Sequence, residues 1–157
     1  MRTVILVSLI AFSLDQLSKL GVTRILGLNQ HLNIAVLPPY IQFRYGENRG
    51  INFGMLSDAP DVMRWVLVVF SALVVLAVGW WVRKQTESRA IVIAAGLLIG
   101  GALGNAIDRL LLGHVIDFLN MSCCRIENPY VFNLADVFIV CGALGLVIFE
   151  GRERRRR

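Results

Sequence analysis

Long apolar stretches alternate with shorter polar segments along this chain. Four of these stretches contain few charges, and they run from about residue 3 to 20, 62 to 82, 90 to 112 and 132 to 149. A helix needs about 20 residues to cross the hydrocarbon core of a bilayer. All four stretches approach that length, so the pattern predicts four transmembrane helices.

The segment between the first two spans, about residues 29–57, has a different pattern. Residues 34–37 and 40–45 are short runs rich in β-branched and aromatic side chains, and two prolines separate them. A second turn precedes residues 51–54, which are predicted to return as a further strand. The pattern therefore predicts a small β-sheet between helices one and two, resting on the membrane surface.

Composition supports a membrane protein rather than a soluble one. The chain has 157 residues, of which 56% are hydrophobic and only 17% charged, and its mean hydropathy is +0.64. A soluble domain of this size is normally less apolar. We therefore predict an all-α integral membrane protein with one domain, residues 1–157. Arg2 before the first span also fits a signal peptide, but no small-residue cleavage site follows Leu14, which favours an uncleaved helix.

The basic residues predict the orientation. Three of the seven residues in the loop 83–89 are basic, as are five of the six residues in the tail 152–157. Basic loops and tails stay on the cytoplasmic side. With four spans, both termini are then cytoplasmic, and segments 21–61 and 113–131 lie outside. The net charge of +5 is accordingly assigned to orientation and to contact with anionic membrane lipids, not to binding nucleic acid.

Two aspartates lie at the same predicted boundary of the membrane. Asp117 follows the outer end of the third span, and Asp136 begins the fourth. The segment between them leaves the bilayer and returns, so both carboxylates are expected at its outer edge. Two carboxylates close together cannot both stay ionised, and one proton is shared between them. Aspartic proteases use that arrangement to activate water.

Other polar residues inside the predicted spans lie near the same edge. Asp15 and Lys19 are four residues apart, so they share a helix face and can pair. Asn105, Asp108 and Arg109 form one polar face of the third span by their spacing. For Asp108 with Arg109, an ion pair that fixes the helix and a catalytic role are both open.

The positions of the charged residues help to distinguish between classes of membrane protein. A proton-coupled transporter is the alternative function, but it is expected to carry ionisable groups near the midplane, and the inner halves of these spans lack them. A non-enzymatic scaffold would explain the repeated glycines at 96, 100 and 104 as packing contacts, but not the two aspartates. Histidines and cysteines are not spaced as metal ligands, so no metal or cofactor is predicted.

Five short runs in this chain resemble the signature blocks of the lipoprotein signal peptidase family, also called signal peptidase II. They occur in the same order and at the same topological places. The runs are Asp15-Gln16-Leu17-Ser18-Lys19, Asn48-Arg49-Gly50-Ile51-Asn52-Phe53-Gly54, Gly104-Asn105-Ala106-Ile107-Asp108-Arg109, Val115-Ile116-Asp117-Phe118 and Asn133-Leu134-Ala135-Asp136.

The resemblance implies roles for individual residues. Asp117 and Asp136 match the family's catalytic dyad, and the segment before helix two matches an outer sheet that cradles substrate. The second run departs from the family pattern, because Ile51 and Asn52 stand where small residues are common. Residues that match substrate-binding or supporting positions are Asp15, Lys19, Asn48, Gly50, Phe53, Asn105, Asp108, Arg109, Asn133 and Ala135.

The resemblance also implies an activity and a location. The expected protein is an intramembrane aspartic endopeptidase of the bacterial cytoplasmic (inner) membrane, with its active site on the extracytoplasmic side. Its expected substrate is a prolipoprotein whose cysteine carries diacylglycerol, cleaved by direct water attack without a metal or a covalent acyl-enzyme. Which aspartate is the base, and the oligomeric state, do not follow from the sequence.

Overall fold

The computed structural model describes residues 1–50, 60–84, 88–123 and 128–154. The first helix continues without a break into a π-helical turn at Gly21–Ile25. The three described strands form one antiparallel sheet, in which each strand pairs with the next along the chain. The helices are α1 Arg2–Leu20, α2 Leu28–His31, α3 Pro60–Lys84, α4 Arg89–Leu112 and α5 Leu134–Arg154, and the strands are β1 Asn33–Leu37, β2 Ile41–Asn48 and β3 Val115–Met121.

Within the described residues, four helices are long and apolar enough to cross a membrane: α1 with its π-helical turn, α3, α4 and α5. The prediction of four spanning helices is therefore confirmed. The largest difference in bounds is at α5, which starts at Leu134 and extends to Arg154 rather than ending near residue 149. Basic residues suit the C-terminal end of a helix, where they face the negative end of its dipole.

Helix α4 is the centre of the helical part. It packs against α1, α3 and α5. The closest helix contacts lie at glycines: a Cβ atom on Gly100 would lie 2.5 Å from the backbone oxygen of Ser8, and one on Gly101 would lie 2.5 Å from that of Ala135. Small residues let helix backbones approach in a bilayer, where apolar burial does not drive helices together.

The sheet contains a strand that the sequence pattern did not predict. The expected sheet was confined to the segment between helices one and two, but its third strand, β3, comes from the segment after α4. This strand lacks the usual alternation because Asp117 and Phe118, adjacent in sequence and on opposite faces, are both buried. The strand predicted at residues 51–54 lies outside the described residues.

The sheet is fixed to the helices by a small apolar cluster. Phe118 of β3 packs with Val22 of the π-helical turn and with Leu28 of α2. The ring of Phe43 meets the ring of Phe118 edge to face, with centroids 5.6 Å apart. This packing holds β3 beside α2 and the π-helical turn, and Asp117 lies on the opposite face of the strand.

Candidate active site

The start of α5 is closed by two reciprocal hydrogen bonds. The side-chain oxygen of Asn133 accepts a hydrogen bond of 2.9 Å from the backbone N–H of Asp136. In return, the carboxylate of Asp136 accepts one of 3.2 Å from the backbone N–H of Asn133. This is the geometry of a capping box, which satisfies backbone donors that a helix leaves free at its first turn. Asp136 is therefore held in place in the first turn of α5.

Asn133 also reaches the other aspartate. Its side-chain N–H donates to Asp117 Oδ1 at 2.5 Å. A second asparagine, Asn105 of α4, donates to Asp136 Oδ1 at 2.9 Å. Asn133 is fully buried, and Asp117 and Asn105 are nearly so. Asp136 is partly buried, and the two aspartates predicted from the sequence thus belong to one hydrogen-bonded cluster.

The second oxygen of Asp117 faces the sheet. Asn48, the last residue of β2, donates its side-chain N–H to Asp117 Oδ2 at 3.0 Å. The side-chain oxygen of Asn48 accepts the backbone N–H of Gly50 at 2.9 Å, and Gly50 has φ +79°, a conformation that favours glycine. Gly50 thus shapes the turn that orients Asn48. Phe53, predicted beside it, lies outside the described residues.

The surroundings of Asp117 disfavour its charged form. Burial, and then the neighbouring charge of Asp136, raise the pKa of Asp117 from 3.8 to about 6, although the hydrogen bonds from Asn48 and Asn133 act in the opposite direction. A carboxyl group with such a pKa exchanges its proton near neutral pH, as an acid or base catalyst must.

A buried ion cluster lies behind the aspartates. Lys19 of α1 contacts Asp15 Oδ2 and Asp108 Oδ2, both at 2.7 Å. The predicted pair of Asp15 and Lys19 is therefore present. The ion pair considered for Asp108 with Arg109 is not the one that forms in the described part of the chain, because the carboxylate of Asp108 points to α1 and binds Lys19.

Asp15 connects this cluster to the fourth spanning helix. Its Oδ1 accepts a hydrogen bond of 2.9 Å from the backbone N–H of Ala135, at the first turn of α5. Ala135, a predicted supporting residue, thus contributes its backbone rather than its methyl group. The carboxylate also lies at the positive end of the α5 dipole, where a negative charge is favourable.

Arg109 has one N–H group that is not hydrogen-bonded to any described residue. Its guanidinium donates to the backbone oxygen of Asn105 at 3.2 Å, and its Nε is buried without an acceptor among the described residues. A buried guanidinium N–H that lacks a partner is costly, and it is available to a polar group that enters the site.

Two residues of the cluster were not singled out by sequence reasoning. Gln16 donates to Asp108 Oδ1 at 2.9 Å and to Asp15 Oδ2 at 3.2 Å. Gly104 had been interpreted as a packing residue, and a Cβ atom there would lie 2.7 Å from Asp15 Oδ2. Both residues stand in runs that resemble the signature blocks, but neither matches a residue to which the resemblance assigns a role.

A cleft of about 170 Å³ opens on Asp117 from the side of the sheet. Asn120 of β3 holds the far wall, because it donates to the backbone oxygens of Asn128 at 2.7 Å and Tyr130 at 2.8 Å. The described residues contain no group of three or more His, Cys, Asp or Glu side chains placed to hold a metal ion. The cleft is lined by Gly46, Glu47, Asn48, Asp117, Pro129, Tyr130 and Val131.

Comparisons with known proteins agree on one family. Residues 7–150 match a family model described as Signal peptidase (SPase) II. The lipoprotein signal peptidase of Caulobacter vibrioides is 41% identical over 136 residues, which cover 86% of this chain and 78% of that protein. The lipoprotein signal peptidase of Aeromonas hydrophila is 38% identical over 151 residues, which cover 96% and 89%.

Two solved structures share the fold. Both are described as bacterial membrane enzymes. One superposes with a TM-score of 0.81 at 23% identity, covering all of this chain and 92% of the other. The second superposes with a TM-score of 0.79 at 25% identity, covering 94% and 92%.

Proposed function

The chain belongs to the signal peptidase II family, and from that premise we propose that it is an aspartic endopeptidase that removes signal peptides from lipid-modified bacterial prolipoproteins. One observation carries the aspartic assignment. Asn133 contacts Asp117 through its side chain and Asp136 through its backbone and side chain, so the buried carboxylate of Asp117 and the partly buried one of Asp136 lie in one cluster. A pair of carboxyl groups can activate water without a metal ion.

In the proposed reaction, the two carboxyl groups share one proton. The ionised aspartate takes a proton from water while the resulting hydroxide adds to the scissile carbonyl carbon, and the protonated partner gives its proton to the carbonyl oxygen. The gem-diol then collapses: one of its hydroxyl groups returns a proton to the ionised aspartate, the carbon–nitrogen bond breaks, and the leaving nitrogen takes the proton of the other aspartate, so that one proton again remains on the pair. No covalent acyl-enzyme forms. Either aspartate can start as the base, because a coupled pair shares its titration.

The surrounding donors supply the remaining roles. Asn105 and Asn133 orient the two carboxylates by hydrogen bonds of 2.9 and 2.5 Å. Arg109, whose Nε has no acceptor in the described part of the chain, is placed to stabilise the negative charge that develops on the substrate's carbonyl oxygen. Asn48 holds Asp117 from the side of the cleft.

Different parts of the substrate reach this site from the membrane lipid and from water. The chain is a bacterial multi-pass membrane protein, and the dyad lies where the helical bundle meets the sheet. We assign this end to the extracytoplasmic side of the inner membrane, since the loop 83–89 and the tail 152–157 carry the basic residues expected in the cytoplasm. The signal peptide and acyl chains then enter through membrane lipid, and the mature segment enters from water through the cleft beside Asp117.

Replacement of each aspartate tests the proposal. Asp117→Asn and Asp136→Asn are expected to abolish cleavage of a diacylglyceryl-modified prolipoprotein in detergent while the protein keeps its thermal unfolding transition. Asp61→Asn, at the first turn of α3, is the matched control. If both dyad variants cleaved at the parent rate, the aspartic assignment would be wrong. Proton flux in vesicles, abolished by the same substitutions, would favour the transporter.

A further inference from the structure

We propose that Gln16 is a positioning residue of this peptidase, and that it acts through Asp15 and Asp108 on the backbone of the residues directly before the two dyad aspartates. The inference rests on the proposed function, because it concerns the geometry of the same pair. Gln16 lies on α1, and it contacts neither Asp117 nor Asp136 directly; its side-chain bonds are to Asp15, to Asp108 and to the backbone oxygen of Gly104.

The single charge of Lys19 does not balance the two carboxylates behind the dyad, so these carboxylates need further hydrogen-bond donors. Asp15 and Asp108 are both buried, and the ion pairs that they form in the described structure go to the same ammonium group, that of Lys19. Two carboxylates thus share one cation in a region with little water, where an incompletely solvated charge is costly.

Gln16 supplies the missing donors without adding a charge. Its amide nitrogen lies 2.9 Å from Asp108 Oδ1 and 3.2 Å from Asp15 Oδ2, and a third acceptor, the backbone oxygen of Gly104, lies 3.4 Å away. An amide nitrogen carries two hydrogens, so the two shorter contacts can form together. One neutral side chain therefore bridges both carboxylates: on Asp108 it binds the oxygen that Lys19 does not contact, and on Asp15 it shares Oδ2 with Lys19.

Each bridged carboxylate also holds a backbone amide next to the dyad. Asp15 Oδ1 accepts the N–H of Ala135 at 2.9 Å, directly before Asp136. Asp108 Oδ2 lies 3.5 Å from the N–H of Ile116, directly before Asp117. A carboxylate that shifts after losing its bond to Gln16 moves the peptide that carries one aspartate of the pair. The separation of the dyad depends on both contacts.

Substitutions of different chemistry separate positioning from packing. Gln16→Leu removes both donors, and kcat is expected to fall roughly 10- to 100-fold at every pH, with KM unchanged, as when a hydrogen bond to a charged group is lost. Ser8→Ala is the control, because Ser8 is a buried polar residue of the same helix whose hydroxyl has no hydrogen-bond partner among the described residues.

Gln16→Glu keeps nearly the same side-chain shape but replaces the amide with a carboxyl group that can ionise. The effect of this substitution on kcat is therefore expected to depend on pH. The charged groups around position 16 are Asp15 and Lys19 of its own helix and Asp108 of α4, while α5 presents the backbone N–H of Ala135. A protonated glutamic acid still donates one hydrogen bond, whereas its anion repels both carboxylates. The ratio of variant to parent kcat is therefore expected to fall as pH rises, and the ratio for Gln16→Leu is expected to stay flat.

The possible outcomes test the role of Gln16 separately from the proposed peptidase activity. A parent enzyme that does not cleave lipid-modified prolipoprotein would overturn both. An active parent whose Gln16→Leu variant keeps the parent kcat would overturn the role of Gln16 alone. A Gln16→Glu ratio that does not change with pH would do the same, and it keeps the test decisive if the leucine variant fails to fold.

Discussion

Asn133 donates its side-chain N–H to Asp117 at 2.5 Å, although the two residues are 16 positions apart in the sequence. The same side chain caps α5 by accepting the backbone N–H of Asp136 at 2.9 Å. One residue therefore both ends the loop before the fourth spanning helix and sets the spacing of the two carboxylates. Its two roles can be separated by substitution.

Asn133→Ser should uncouple stability from activity. A serine hydroxyl still accepts the backbone N–H of Asp136 and caps the helix, but it is too short to reach Asp117. We expect a free energy of unfolding close to that of the parent and a large loss of cleavage. Asn133→Ala loses the cap as well, and should be less stable by about 1 kcal/mol. Thermal unfolding followed by tryptophan fluorescence, alongside cleavage rates, measures both; a fully active serine variant would contradict the assigned link.

Asp117 should make the folded protein more sensitive to rising pH. Its pKa rises from 3.8 to about 6 on folding, mainly through burial. The native state therefore keeps a proton that the unfolded chain releases between about pH 4 and 6. This contribution to stability is present below pH 4 and is lost as pH rises through 6. The Tm of the parent should fall relative to that of Asp117→Asn over this range; parallel curves would contradict the prediction.

Removal of the charge of Asp136 should lower the pKa of Asp117. Repulsion by Asp136 is the second cause of the raised value, after burial. In Asp136→Asn, infrared titration of the protonated carboxyl band should place the pKa of Asp117 below that in the parent, though still above 3.8. Glu47→Gln is the control, because Glu47 pairs with Arg49 and does not contribute to the shift. An unchanged pKa in Asp136→Asn would mean that the two carboxylates do not interact.

Gly46 and Val131 should compensate each other in the wall of the cleft. A Cβ atom on Gly46 would lie 2.6 Å from Val131 Cγ2. Gly46→Ala is therefore expected to displace the segment opposite β2 and to raise KM. The double variant Gly46→Ala with Val131→Ala should recover most of the loss, since the shorter side chain leaves room. A double-mutant cycle on KM measures this coupling, and strictly additive effects would argue against the contact.

Gly142 should be far less tolerant than Gly79. A Cβ on Gly142 would lie 2.6 Å from the backbone nitrogen of Leu98, so Gly142→Ala forces α4 and α5 apart, at a cost of about 1–3 kcal/mol. A Cβ on Gly79 would meet nothing within 4 Å, and alanine is the better helix former. Gly79→Ala should therefore unfold at or above the parent temperature. Equal destabilisation of the two variants would contradict this packing.

The spanning helices were predictable because their signal is local. A run of about 20 apolar residues is sufficient to identify each span, whatever it packs against. Strand β3 was missed because Asp117 and Phe118 are buried on opposite faces, one against the helices and one in the cluster with Val22, so no alternation marks the strand. The bond between Asp15 and Ala135 joins residues 120 positions apart, and no local pattern encodes it.

The sequence predicted which residues form the site better than it predicted which of these residues contact each other. Helical spacing placed Asp15 with Lys19, and this pair is present. The partner of Asp108 was not predictable in the same way, because the choice between Arg109 and Lys19 depends on how α1 packs against α4. Gln16 was overlooked for a related reason: an amide becomes informative only when the carboxylates that it bridges are known.

The bond from Asp15 to the first turn of α5 has a consequence for synthesis. A membrane chain is inserted from its N-terminal side, so α1, which carries Asp15, enters the membrane before α5, which carries Asp136. The first turn of α5 is therefore completed by a carboxylate that is already present when this helix is synthesised. An intermediate without α5 leaves that carboxylate without the backbone N–H of Ala135. The hydrogen-bonded cluster that contains Asp117 and Asp136 is complete only after α5 has docked against α1 and α4.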